Sequence, residues 1–131
     1  MKIVDGFPPN ISTIRQYITP PPDAVFAYGD IIYNPSGKDI PEDVLVHEQV
    51  HEKQMKNWLP DTWWLKYLLD KDFRKQAEVE AYSVQYRFVK ERVPAKVAKL
   101  CLHDLASNLQ KLYDLDITYW EASTLIRKFK I

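Results

Sequence analysis

Two of the three histidines in this chain, His47 and His51, stand four residues apart in the run His47-Glu48-Gln49-Val50-His51. That spacing has chemical meaning on an α-helix. Residues i and i+4 share a helix face, with Cβ atoms about 6 Å apart, so both imidazoles can close on one divalent ion at about 2.0–2.1 Å. Glu48 leaves the helix about 100° round from His47 and stands beside such an ion without ligating it. A carboxylate placed there can take a proton from a water at the metal. Coincidence is the competing reading, so two tests decide: the run must be helical, and a third ligand must exist.

The flanking residues meet the first test. Asp39 with Glu42 three residues on has the form of a capping box, and Pro41 falls in the first turn, where its missing N–H is harmless. A helix over about 41–58 is predicted, stopped by Pro60. Val44, His47, His51, Gln54 and Trp58 step along one face at intervals of three and four. The motif is therefore mid-helix.

Beyond it, Asp61–Leu69 predicts a short aromatic helix, and about 72–92 a long one that Pro94 stops. On the long helix Ala77, Ala81, Val84 and Phe88 form one apolar stripe, with Glu78, Tyr82, Gln85 and Val89 on the next. Further helices are predicted from Pro94 or Ala95 to Tyr113, and from Asp116 or Thr118 to about Lys128.

Upstream, residues 1–24 hold five of the nine prolines and read as an extended arm. Within it Ile11–Ile18 is open between helix and strand. Residues 24–35 are β-branched and aromatic, interrupted by Gly29-Asp30 and closed by Asn34-Pro35-Ser36-Gly37. They predict one or two strands, Ala24–Tyr28 and Ile31–Asn34. The fold class expected is α+β: one mostly helical domain over 1–131 with a small antiparallel sheet or hairpin.

Composition narrows the partners. Eighteen basic residues balance eighteen acidic ones, so nothing favours nucleic acid or an anionic membrane. No apolar run is long enough to span a bilayer, and the N-terminus lacks the apolar core of a signal peptide. A soluble cytoplasmic setting is the expectation. The one cysteine, Cys101, excludes an internal disulfide and is expected to be a buried, inert thiol.

Candidates for the third ligand are Glu78, Glu80, His103 and assorted acids downstream. Glu78 and Glu80 point roughly 160° apart on their helix, so only one can face the metal. Glu78, on the stripe of Tyr82 and Gln85, is the preferred choice. Glu80 reads as a solvated charge near Arg87 and Lys90, and His103 as a core or surface histidine.

HEQVHEKQ followed by QAEVEAYSVQYR resembles the gluzincin type of zincin metallopeptidase, including its pared-down minigluzincins, over about residues 25–92. It is also similar to small bacterial and phage proteins that carry the same motif. The resemblance implies a zincin-like minimal catalytic domain holding one Zn²⁺ through His47, His51 and Glu78. It also implies peptide-bond hydrolysis by a water that Glu48 activates at the zinc. The chain departs from the family at Tyr82, where a carboxylate usually supports a metal-bound histidine. Tyr86, His103, Tyr113 and Tyr119 are the candidates for the donor to the developing oxyanion.

A peptide or protein substrate would add to the strand at Ala24–Tyr28 or Ile31–Asn34 by main-chain hydrogen bonds. Trp58, Trp63, Trp64 and Tyr67 line a specificity pocket or, on the simpler reading, form core. The proline-rich arm is a candidate inhibitory segment across the cleft. A zinc-binding structural or interaction protein without turnover, such as a phage or assembly component, is the second reading. A metal-free helical binding module is the third.

Overall fold

Proline and glycine punctuate the chain in the computed structural model, which describes residues 2–131. Nine elements follow one another: β1 (Lys2–Val4), α1 (Ile11–Tyr17), β2 (Phe26–Tyr28), β3 (Ile31–Tyr33), α2 (Glu42–Gln54), α3 (Pro60–Leu69), α4 (Lys71–Lys90), α5 (Ala95–Leu112) and α6 (Tyr119–Lys128). The mostly helical α+β class is as the sequence predicts. Among the described residues no helix is long and apolar enough to cross a membrane.

The sheet differs from the expectation. Its strand order is β1-β3-β2, with β1 parallel to β3 and β2 antiparallel to it, so the sheet is mixed. Periodicity could not reveal β1, because three residues are too few to establish an alternation. The β2–β3 hairpin turns on Gly29-Asp30, with Gly29 at φ +63°. A glycine at the first central position matches the twist of a two-residue hairpin.

The arm is likewise not a loose strap. Ile11–Tyr17 is helical, and Ile14 on it is fully buried against the sheet and α3. An arm that contributes a strand and a core side chain cannot be lifted off intact.

Helix boundaries moved by small, explicable amounts. Pro41, not Asp39, is the N-cap of α2, with no side-chain cap, and the helix ends at Gln54 instead of Trp58. The extra residue of α4 arises because Asp70 caps it, accepting from the Phe73 N–H at 3.0 Å. Thr118 and Glu121 form a reciprocal capping box at the start of α6.

Two apolar clusters flank α4. One gathers the sheet, α1 and α3 around Trp63, Trp64 and Tyr67. The other packs α4, α5 and α6 around Leu105, Leu109 and Ile126. Of the four aromatics that sequence grouped together, Trp63, Trp64 and Tyr67 are buried, whereas Trp58 is 37% exposed beyond the end of α2. Cys101 is half-buried, not buried, on α5.

Candidate metal centre

Helices α2 and α4 meet along a seam in which histidines oppose a glutamate. His47 and His51 lie one turn apart on α2, their rings 5.0 Å between centroids. Glu78 projects from α4 between them. Its Oε1 is 3.1 Å from His47 Nε2 and 3.3 Å from His51 Nε2. All three side chains are buried, and one ligand atom from each lies within 4.8 Å of the others. This His₂Glu group can hold a metal ion. Glu80 and His103, the alternative third ligands, are not part of it.

The residues behind the ligands fix their orientation. His47 Nδ1 lies 2.9 Å from Gln85 Oε1, and the Gln85 amide donates to Asp43 Oδ2 at 2.8 Å. His51 Nδ1 lies 2.9 Å from Gln54 Oε1, and the Gln54 amide donates to Glu80 Oε1 at 2.8 Å and to the Ala77 carbonyl at 3.1 Å. Only an NH₂ can meet a carboxylate oxygen, so each glutamine turns its oxygen to the imidazole. Nδ1 of each histidine therefore carries a proton, and Nε2, which bonds Glu78 Oε1 when protonated, offers its lone pair to a metal once that proton is displaced. A metal ligand needs that tautomer.

These supports correct two expectations. Glu80 is not a solvated charge near Arg87 and Lys90; it anchors Gln54. Tyr82 is the position at which the resemblance leads one to expect a carboxylate, yet the support for His47 comes from Gln85, three residues on. The Tyr82 ring packs edge-on against His47 at 4.5 Å, and its hydroxyl bonds Tyr113 Oη at 2.6 Å. Both glutamines sat on stripes visible in the sequence, Gln54 with the histidines and Gln85 with Glu78. Their role was missed because an uncharged amide seldom signals chemistry.

Tyr67, from α3, donates its O–H to Glu78 Oε2. The carboxylate thus has one oxygen toward the histidines and the other held by a phenol. Burial raises the Tyr67, Tyr82 and Tyr113 hydroxyls above their ordinary range, reinforced by the Glu78 charge. All three remain protonated and able to donate. Of the four candidates for an oxyanion donor, only Tyr113 lines the cleft over the histidines. His103 and Tyr119 bond each other at 2.8 Å elsewhere, and Tyr86 lies under Lys90.

Glu48 is 8% exposed and lines the same cleft. Burial raises its carboxyl above the usual carboxylate value, His51 and His47 pull it back down, and the Ala27 N–H hydrogen-bonds it. The partner is informative. Ala27 pairs with Ile32 at the centre of the hairpin ladder, and antiparallel alternation leaves its N–H and C=O pointing away from β3. The N–H meets Glu48, and the carbonyl accepts from Trp64 Nε1 at 2.9 Å. The middle of the β2 edge is therefore already satisfied by the protein's own side chains, contrary to the open strand expected for a peptide.

The cleft itself has a volume of about 1070 Å³. Ile18–Pro21 of the arm, Phe26 of β2 and Tyr113–Ile117 are among the residues that line it. Arg74 ties the start of the 113–117 segment to α3: its buried guanidinium donates to the carbonyls of Tyr113 at 2.8 Å, Tyr67 at 2.9 Å and Leu68 at 3.2 Å. No family model, curated protein or solved structure matches the chain.

Proposed function

We propose that the protein is a zinc-dependent metallopeptidase, of the gluzincin type that its sequence resembles. The observation that carries the reading is Glu48, a buried carboxylate in the cleft beside the His47, His51 and Glu78 group. A site built only to hold a metal has no use for it.

Two imidazoles and one carboxylate suit zinc. When bound, the ion supplies Lewis acidity and lowers the pKa of a water. His47, His51 and Glu78 are the residues that would hold it. Glu48, its carboxyl raised by burial, accepts a proton from the attacking water and returns it to the departing amine. The Ala27 N–H orients the carboxylate. Tyr113, protonated and held by Tyr82, is the donor placed to meet negative charge developing on the peptide carbonyl. An extended peptide would occupy this cleft of about 1070 Å³, which residues of the arm and of the 113–117 segment line.

A specific observation favours a second reading, a zinc-binding structural or interaction protein without turnover. Ala27 is engaged on both its polar groups, so a peptide gains no ladder there unless Trp64 moves. Metal content by mass spectrometry, with cleavage of a mixed peptide library by wild type and Glu48→Gln, separates the readings. The peptidase reading expects one zinc per chain in both proteins and cleavage reduced about 10²–10⁴-fold in the variant. Zinc in both without cleavage in either establishes the structural reading. No zinc in either leaves neither.

A further inference from the structure

The two histidines are supported alike at the first bond and differently at the second. The Gln54 amide has two acceptors, the Ala77 carbonyl and Glu80. The Gln85 amide has one, Asp43, in the first turn of α2. If Gln85 turned over, its NH₂ would face His47 Nδ1. A donor there selects the imidazole with hydrogen on Nε2, which removes the lone pair a metal needs. Rotating an amide by half a turn leaves its shape almost unchanged, so packing alone discriminates weakly between the two settings. The partner of the NH₂ decides.

We propose that Asp43 is a positioning residue of the metal centre: it fixes the Gln85 amide and, through it, the tautomer of His47. The inference rests on the metal-binding reading of His47, His51 and Glu78. It goes beyond that reading in assigning control of the site to a carboxylate one side chain removed from any ligand. Glu80 holds the corresponding place behind His51 but acts redundantly, since the Ala77 carbonyl alone orients Gln54. The two halves of the site therefore differ in how easily their tautomers are lost.

Zinc affinity, measured by competition with a chromophoric chelator, tests this without any substrate. Removing a group behind a ligating histidine lowers metal affinity about 10–100-fold. Asp43→Ala and Gln85→Met are each expected in that range. Combining them should add nothing, because Asp43 acts only through Gln85. Asp43→Asn should stay near wild type, since its carbonyl still accepts from the Gln85 NH₂. Glu80→Ala should fall less than Asp43→Ala.

Equal affinities for Asp43→Ala and wild type would overturn the proposal. So would independent, multiplying losses in the double variant, or an Asp43→Asn loss as large as that of Asp43→Ala, which would assign the effect to charge alone. Thermal unfolding of each metal-depleted variant shows whether it is folded. Should Gln85→Met be unfolded, the comparison of Asp43→Ala with Asp43→Asn still decides. A wild type that binds no zinc overturns the metal reading and this inference together. Failure of the inference alone appears only where wild type binds zinc.

Discussion

Helix α4 packs on two neighbours, and the two seams rest on opposite physics. Toward α5 and α6 it meets Leu102, Leu105, Leu109 and Ile126, a regular apolar stripe that gains stability simply by leaving water. Toward α2 it buries Glu78 and Gln85 against His47 and His51. Polar groups taken out of water cost free energy unless each finds a partner. Here each does, but one carboxylate oxygen has to serve two imidazoles at once. The first seam is stable under any conditions that fold the chain. The second is complete only when its polar groups are correctly protonated or a metal takes their place.

The sharpest way to break the comparison is to supply and remove metal. With free zinc at about a thousand times its Kd, stability to denaturant should rise by about 4 kcal/mol over the chelated protein. His51→Ala should abolish that response while the chain still folds. A chelator without effect on the wild-type transition would show that the α2 seam does not depend on an ion.

Leu109→Ala probes the other seam. Leu109 is fully buried among α4, α5 and α6, and the cavity should cost about 3 kcal/mol. The decisive feature is that the loss be equal with and without zinc. A loss that depends on metal would mean that the seams are one cooperative unit.

Arg74 lies between the two, joining the end of α3 to the segment after α5 through backbone carbonyls. Arg74→Met keeps much of the bulk but strands those acceptors, at a cost of about 2 kcal/mol. The zinc response should survive, since no ligand contacts Arg74. Calorimetry with and without zinc reads both quantities. A vanished zinc response would place Arg74 in the metal centre's support, against the division drawn here.

The same contrast explains what the sequence disclosed. Pro94 and the capping candidates Asp116 and Thr118 made α5 and α6 legible, and His47, His51 and Glu78 were legible because few residue types ligate metals. The α2–α4 supports were not. Gln54, Gln85 and Asp43 carry no motif, and their function depends on side-chain register between helices 23 to 42 residues apart in sequence. Strand β1 was hidden for a related reason, since a three-residue parallel partner is defined by Ile31–Tyr33 and not by its own pattern. Tyr67 looked like core, which it is, and its hydroxyl's bond to Glu78 is a tertiary fact.

The smallest expected effect is a difference in pH dependence, and it separates the seams most finely. In the metal-depleted fold, burial pushes the His51 imidazole down, but the Glu78 and Glu48 charges and the bonds to Glu78 and Gln54 outweigh it and raise its pKa from 6.5 to about 9. The folded state then holds that proton more tightly than the unfolded one. Its stabilisation is complete below pH 6.5 and is lost as pH rises toward about 9. Glu48, raised by burial, adds to the loss above its ordinary value of 4.5. Glu78, lowered chiefly by His51 against its own burial, contributes above 4.5 and fails as pH falls below it. Metal-depleted protein should therefore be most stable in mildly acidic solution. Zinc must displace the same His51 proton, so its affinity climbs through the window in which the metal-depleted seam weakens. Each group changes stability by at most about 1.4 kcal/mol per pH unit. Denaturant unfolding between pH 6 and 8.5 should give a zinc increment that grows with pH in wild type. In Leu109→Ala the increment should match that of wild type at each pH, because the groups that could titrate in that seam, the Tyr82 and Tyr113 hydroxyls and the Cys101 thiol, are all raised above their ordinary values. An increment flat with pH in wild type would mean that His51 is already neutral, and the α2 seam would then owe its order to packing like the other.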